Sequence, residues 1–180
     1  MKTINIYTDG ACSGNQNAEN IGGWGAILEY GQAQKELYGG EANTTNNRME
    51  MFALIAALEA VKKDKQTVRV FSDSSYLIEC FRKGWYKEWT TNGWKTKAKK
   101  PVENRDLWER LLTHLGKHQI TFYRVKGHVN LKSKSIEPSQ VYQQFIDWNG
   151  PSFSYEDFVY VTEKNLRADL LANKGIDELR

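Results

Sequence analysis

The sequence has few cysteines and prolines and no long apolar run. Its 180 residues include only two cysteines, Cys12 and Cys80, which form no C-x-x-C pair and fit a reducing compartment as free thiols. No apolar stretch approaches the ~20 residues that a transmembrane helix needs, and the N-terminus, M-K-T-I-N, lacks the apolar core of a signal peptide. These features argue against a disulfide-stapled secreted domain and an integral membrane protein, so we expect a cytoplasmic protein without a membrane partner.

Charge is distributed unevenly along the chain. The net charge is only +3, yet residues 82–100 carry seven bases against one acid, which leaves 18 bases and 21 acids for the rest. A strongly basic segment on a mildly acidic body is typical of a protein that contacts a polyanion. A lysine-rich loop that is merely solvated stays open as the alternative.

Hydrophobic periodicity predicts one mixed α/β domain spanning residues 1–180. Alternation predicts an antiparallel meander with strands at 3–9, 23–30 and 34–38, the first two separated by a glycine-rich turn at 10–23. Two further strands are predicted at 67–72 and 118–125. Helices are predicted from Thr45 or Asn46 to Val61, at 76–81, between a cap at Asn104 and a stop at Gly116, and from 163 or 164 to 179. This order predicts that the first and fourth strands are parallel neighbours.

Four acids occupy positions that are unusual for surface residues. Asp9 ends the first predicted strand and Asp73 ends the fourth, so parallel pairing would bring both to the same sheet edge. Glu50 and Asp169 extend the apolar faces of their helices, where an unpaired charge is costly. Carboxylates gathered in this way repel each other unless a hard cation such as Mg²⁺ binds them. Two such ions can activate a water for phosphodiester hydrolysis.

Local motifs around these acids resemble a known family. Y-T-D-G-A contains Asp9, T-T-N-N-R-M-E leads into Glu50, F-S-D-S-S contains Asp73, Y-R-V-K-G-H ends at His128, and N-L-R-A-D-L-L-A contains Asp169. In this order, and with W-K-T-K-A-K-K-P-V-E-N-R-D-L-W between them, the motifs resemble type 1 ribonuclease H over residues 1–128 and again over 163–179. The resemblance implies the ribonuclease H-like fold, a five-stranded mixed sheet (three antiparallel strands, then two parallel) flanked by helices.

The resemblance also implies a reaction. It implies an endonuclease that hydrolyses the RNA strand of RNA–DNA hybrids with two Mg²⁺ ions, Mn²⁺ being an alternative, and leaves 5′-phosphate and 3′-hydroxyl ends. Asp9, Glu50, Asp73 and Asp169 would be the metal ligands. His128 would assist proton transfer or product release, a role that its surroundings in the sequence do not by themselves indicate.

A substrate-binding surface follows from the same resemblance. Small polar groups would read RNA 2′-hydroxyls in the minor groove, and lysines among tryptophans would meet phosphates. The matching residues are Cys12, Asn15, Asn46, Asn47 and Ser75 in the groove, Thr45 in a DNA phosphate pocket, and Trp85, Lys87, Lys95, Lys97, Lys99 and Lys100 in a basic handle at 82–101. Ser75 departs from the family, which usually has glutamine there. Trp85, Trp89 and Trp94 have an alternative interpretation as hydrophobic anchors of the handle.

Residues 129–162 stand where the family normally has a short loop. They include seven aromatics, too many for a disordered linker. Pro138 suits the start of a helix whose apolar stripe ends at Gly150-Pro151. We expect this inserted segment to be ordered, to dock near the last helix and to restrain the loop that carries His128. A decoration without catalytic effect and a docking site for another protein stay open.

Three other interpretations remain. The chain could be a catalytically weak hybrid-binding module, although such a module would not need all four acids. It could be another nuclease of the same superfold, such as a resolvase or integrase core, although those lack the T-N-N-R-M-E helix and the basic handle. It could also be a fragment of a reverse transcriptase. Of these alternatives we favour the ribonuclease H, and we expect a monomer.

Overall fold

The structure, a computed structural model, describes residues 2–14 and 19–180. These residues form five strands and six helices. The elements are β1 (Ile4–Ser13), β2 (Ile21–Tyr30), β3 (Ala33–Ala42), α1 (Asn46–Glu59), β4 (Thr67–Ser72), α2 (Ser75–Lys83), α3 (Trp85–Asn92), α4 (Arg105–Leu115), β5 (Gln119–Arg124), α5 (Pro138–Asn149) and α6 (Tyr155–Asp177). Within this described part of the chain, no helix has the length and apolar character required to cross a membrane.

The strands form one sheet in the order β3-β2-β1-β4-β5. β1, β2 and β3 pair antiparallel, whereas β4 pairs parallel with both β1 and β5. The predicted α/β fold class, with three antiparallel strands followed by two parallel ones, is therefore confirmed. The last pair between β1 and β4 joins Thr8 to Ser72. The residues that follow, Asp9 and Asp73, are therefore neighbours at one edge of this pair.

The first two strands are longer than the sequence predicts. Part of the predicted turn at 10–23 instead continues β1 to Ser13 and begins β2 at Ile21, so that Gly10 pairs with Trp24. Glycine-rich strands give no side-chain alternation, which is why periodicity misses them. Here a small residue is required by the helix that covers the strand, because a Cβ at Gly23 would overlap the α6 backbone.

Side chains on the two faces of the sheet pack into two hydrophobic cores. The first core packs Ile6 and Val70 against α1, α2 and α4. The second core packs Tyr7 and Phe71 against α5 and α6. The division arises because successive side chains of a strand point to opposite faces.

α5 follows the His128 loop and docks on the second core. The predicted helix that starts at Pro138 and ends before Gly150 is confirmed. Its buried Phe145 packs against Phe158 of α6, with ring centroids 5.6 Å apart. Val129, which directly follows His128, is buried in the same core. The segment is thus ordered and lies against both the last helix and the His128 loop.

The last helix begins earlier than the sequence predicts. α6 starts at Tyr155, so the prediction of a start at 163 or 164 is wrong. Ser154 and Asp157 form a reciprocal capping box, with hydrogen bonds of 3.0 Å in each direction. Residues 129–162 are therefore not a separate unit, because the last of them form the first two turns of α6.

Candidate active site

Three carboxylates meet at the sheet edge where β4 ends. Asp9 in β1, Asp73 after β4 and Glu50 in α1 each place an oxygen within 4.8 Å of the other two. We call these residues the carboxylate trio. The prediction that Asp9 ends its strand is wrong, because β1 continues to Ser13 in its pairing with β2. What ends at this point is the pairing of β1 with β4.

The position of Glu50 depends on how α1 starts and on how closely it approaches β1. Thr45 caps the helix, and its hydroxyl accepts a hydrogen bond of 3.1 Å from the Arg48 amide. Glu50 then lies in the second turn. A Cβ at Gly10 would lie 2.5 Å from Glu50 N and 2.6 Å from the Met49 carbonyl carbon. The helix can approach this closely because residue 10 is glycine.

Burial and like charge make the trio difficult to ionise. Asp9 is 1% exposed, and its burial together with the charge of Asp73 raises the pKa of Asp9 to about 9. Burial also raises the pKa of Glu50 well above its usual range, and the charges of Asp73 and Asp9 add to that effect. The pKa of Asp73 is raised mainly by burial. Such a cluster is stable only when protons or a cation offset its negative charge.

Two oxygens of the trio fit a bound cation. Among the described residues, Asp9 Oδ2 and Glu50 Oε2 are buried without a hydrogen-bond partner. A buried carboxylate oxygen without a partner is costly. Carboxylate oxygens are the ligands that hard divalent cations prefer, so this acidic group could hold a metal ion.

Asp169 and His128 form a pair beside the trio. His128 Nδ1 lies 3.6 Å from Asp169 Oδ1. Asp169 does not belong to the group whose oxygens lie within 4.8 Å of one another, but its charge contributes to the raised pKa of both Asp9 and Asp73. The His128 side chain is 71% exposed, and its backbone adopts a left-handed φ of 58°. Of the four predicted carboxylates, three therefore converge and the fourth lies next to the histidine.

The trio lines an open groove of about 580 Å³. Five residues predicted from the sequence line this groove as well: Cys12, Asn46, Asn47, Ser75 and His128. The Cys12 thiol also lies 3.8 Å from the carbonyl oxygen of Thr44. Thr45 is exposed at the helix cap but is not part of the groove lining. Asn15, also predicted to bind substrate, lies outside the described residues.

Further groove residues were not predicted to be part of a site. Ser74, Tyr76 and Gly127 line the groove. Ser74 also caps α2, since its hydroxyl accepts a hydrogen bond from the Leu77 amide. The Tyr76 hydroxyl accepts a hydrogen bond of 3.1 Å from Trp108 Nε1. The only signal in the sequence was that each residue flanks one that was predicted.

The basic segment 82–101 consists of the end of α2, α3 and the loop after it. Trp94 is 8% exposed and packs on Trp89, whose ring lies 5.5 Å from that of Trp108 in the first core. Trp94 is thus an anchor, as the alternative interpretation of the tryptophans expects, and Trp85 is half-buried against the same core. The exposed lysines of the segment are Lys83, Lys87, Lys95, Lys97, Lys99 and Lys100, and none of them lines the groove.

Comparison with known families identifies the chain. The sequence model of the RNase H family matches residues 1–140, well over half of the chain, and this range includes the trio and His128. The chain belongs to the ribonuclease H family. The ribonuclease H of Chlorobaculum parvum is 55% identical over 127 residues, which cover 71% of this chain and 84% of that protein. As a ribonuclease H, the chain is a nuclease.

Solved structures agree with this fold. The crystal structure of LC9-RNase H1, described as a type 1 RNase H with the type 2 active-site motif, is 26% identical with a TM-score of 0.63, over 88% of this chain and 81% of that one. LC11-RNase H1, solved in complex with an RNA/DNA hybrid, is 20% identical with a TM-score of 0.56, over 98% of both chains. At that identity, the second likeness shows the fold alone.

Proposed function

We propose that the enzyme hydrolyses internal phosphodiester bonds in the RNA strand of RNA–DNA hybrids and leaves 5′-phosphate and 3′-hydroxyl ends. The observation that carries this proposal is the convergence of Asp9, Glu50 and Asp73 in a groove that also presents Asn46 and Asn47. Membership of the ribonuclease H family supports it. The hybrid bound to LC11-RNase H1 shows that a protein of this fold accepts such a substrate.

Two Mg²⁺ ions, with Mn²⁺ as an alternative, are the cofactor that we propose. Asp9, Glu50, Asp73 and Asp169 would hold them. When bound, such a pair of ions activates a water and stabilises the leaving oxygen of a phosphodiester. The partnerless buried oxygens of Asp9 and Glu50 support this assignment, because a cation would supply the partners that the protein does not.

His128 is the proton-transfer group in this proposal. Its imidazole is exposed at the groove, so that it can exchange a proton with solvent or with the departing product. The carboxylate of Asp169, 3.6 Å from Nδ1, orients the ring. The Nε2 atom is then the one that faces the substrate.

Recognition of RNA rests on the polar groove in this proposal. The amides of Asn46 and Asn47 both donate and accept hydrogen bonds, as a 2′-hydroxyl requires. Cys12 and Ser75 line the same groove. Asn15 and Thr45 remain proposed contacts, Thr45 to the DNA strand. Lysines of the basic segment would bind phosphates and add affinity without sequence preference.

We further propose that residues 1–180 act as one catalytic domain, which includes the basic handle at 82–101 and the inserted segment at 129–162. We propose that this domain is monomeric and cytoplasmic. The two cysteines support a reducing compartment, since both are free thiols and Cys80 is buried. α5 and α6 support the single domain, because they close the second core of the same sheet.

A three-substrate cleavage assay tests the proposed function. The enzyme is incubated in Mg²⁺ with an RNA–DNA hybrid, an RNA duplex and a DNA duplex of one sequence, each labelled on either strand. We expect cleavage of the RNA strand of the hybrid alone, lost on chelation. Cleavage of a DNA strand would indicate another nuclease of this fold, and binding of the hybrid without cleavage would indicate a binding module.

A further inference from the structure

The loop after His128 has one apolar side and one basic side. Val129 is 2% exposed, and Leu131 and Ile136 pack on the second core. The intervening Lys132 and Lys134 are exposed. The alternation therefore holds the loop against the protein through one set of side chains and points both lysines to solvent.

Hydrogen bonds within the loop fix this arrangement. Asn130 Oδ1 accepts from the Lys132 amide at 3.0 Å, and the Asn130 carbonyl accepts from the Ser133 amide at 3.0 Å. The Ser133 carbonyl accepts from the Ile136 amide at 3.3 Å. In the described part of the chain, neither lysine has a carboxylate within 4.0 Å. Both ammonium groups are thus available to an external anion.

The basic charge of residues 129–162 lies close to His128 in the sequence. The segment contains two bases, Lys132 and Lys134, and four acids, which all follow from Glu137 onward. Both bases are within six residues of His128, which lines the groove. At the ~3.5 Å that an extended chain spans per residue, they lie within about 14 Å and about 21 Å of it.

This basic loop lies on a different face of the sheet from the basic segment 82–101. That segment is anchored in the first core by Trp94, whereas the loop is anchored in the second core by Val129. The two basic surfaces are therefore anchored on opposite faces of the sheet.

We propose that Lys132 and Lys134 form a second phosphate-binding surface, which contacts the hybrid backbone on the side of the cleavage site opposite to the basic segment. This inference rests on the proposed function, because it takes the hybrid as the polyanion. The surface would add affinity on one flank of the cut and orient the scissile strand in the groove.

The test compares hybrid binding by matched lysine pairs in an Asp73→Asn background, which prevents cleavage. Lys132→Ala/Lys134→Ala is compared with Lys62→Ala/Lys63→Ala. Lys62 and Lys63 are equally exposed but follow the far end of α1, about 21 Å from its groove end. We expect Lys132→Ala/Lys134→Ala to reduce the slope of log K against log salt by roughly 1.4–1.8, because two phosphate contacts are lost at ~0.7–0.9 each. Lys62→Ala/Lys63→Ala should leave the slope unchanged. An unchanged slope for the loop pair would overturn the inference.

A second measurement assigns the flank. The hybrid carries a short ribonucleotide block that fixes the cleavage site, and its duplex is shortened from either end. Lys132→Ala/Lys134→Ala should no longer lower the affinity for the hybrid once the duplex on one side of the cleavage site is removed. Neutralising the lysines of the basic segment should no longer lower it once the duplex on the other side is removed. Dependence of both on the same flank would overturn the inference. A parent enzyme that leaves hybrids uncut would overturn the proposed function instead.

Discussion

The backbone of Gly127 lies directly against the carboxylate of Asp73, so that a Cβ at position 127 would overlap Asp73 Oδ2. Gly127→Ala must therefore displace either the carboxylate or the loop that leads to His128. We expect kcat for hybrid cleavage to fall on the order of 10- to 100-fold, as for a catalytic group moved by about 1 Å. Gly116→Ala is the control. A Cβ added at position 116 would lie 3.6 Å from the nearest atom, and the backbone φ of −72° suits alanine. Equal rates for the two variants would show that the contact is unimportant.

The raised pKa of Asp9 predicts how the metal-free protein responds to pH. The folded state holds the Asp9 proton up to about pH 9, whereas the unfolded chain loses it near ~4. This contribution to stability is therefore complete below pH ~4 and is lost as the pH rises towards 9. With a chelator present, we expect Tm to fall over this range less steeply for Asp9→Asn than for the parent. Added Mg²⁺ should raise the parent's Tm more at pH 9 than at pH 6. Parallel pH profiles for both proteins would refute the assignment.

Neutralising Lys95, Lys97, Lys99 and Lys100 together should weaken hybrid binding with little change in the chemical step. Each lost phosphate contact should reduce the slope of log K against log salt by roughly 0.7–0.9. Binding titrations between 50 and 200 mM salt, about the range in which such contacts lose most of their strength, measure this slope. Single-turnover rates at saturating enzyme measure the chemical step. A slope equal to that of the parent would mean that these lysines only face solvent.

The buried position of Val129 predicts that the second core restrains the His128 loop. Val129→Ala and Val161→Ala each remove two methyl groups from this core, where the residues are 2% and 4% exposed. Both should cost about 1–3 kcal/mol of stability. Because Val129 directly follows His128, only Val129→Ala should also lower multiple-turnover cleavage, by severalfold. Equal turnover in two variants of matched stability would favour the view that residues 129–162 are a decoration.

The sequence predicts those parts of the fold that side-chain patterns determine. β4 was predicted with its observed bounds, and the helix that starts at Pro138 was predicted from its apolar stripe. The extension of β1 from Gly10 to Ser13 was missed because its small residues show no clear alternation of apolar and polar side chains. The start of α6 was missed although Ser154 and Asp157 are a readable capping box, since the helical pattern was assigned only from 163 or 164 onward.

The candidate site, like the fold, was predicted only where side-chain patterns determine it. Asp9 and Asp73 converge because β1 and β4 are parallel neighbours, and Glu50 joins them through its phase on α1. Strand order and helix phase were both predicted from the sequence. The offset of Asp169 depends on how α6 packs over β1, β2 and β3, which no local pattern encodes. The approach of Gly127 to Asp73 is likewise a tertiary contact. The roles of the predicted ligands, of His128 and of the substrate-binding residues stay predictions.

The measurement that tests the central claim most directly is cleavage of a 5′-labelled RNA strand in a hybrid by the parent and by Asp73→Asn. We expect the parent to cut the RNA only in the presence of a divalent cation and to leave the DNA strand intact, and we expect the variant to be inactive. Without metal, the variant should melt at the same temperature as the parent or higher, because one of the gathered charges is removed. Cleavage by Asp73→Asn at the parent's rate, or a clearly lower Tm that accounts for its inactivity, would contradict a catalytic role for the carboxylate trio.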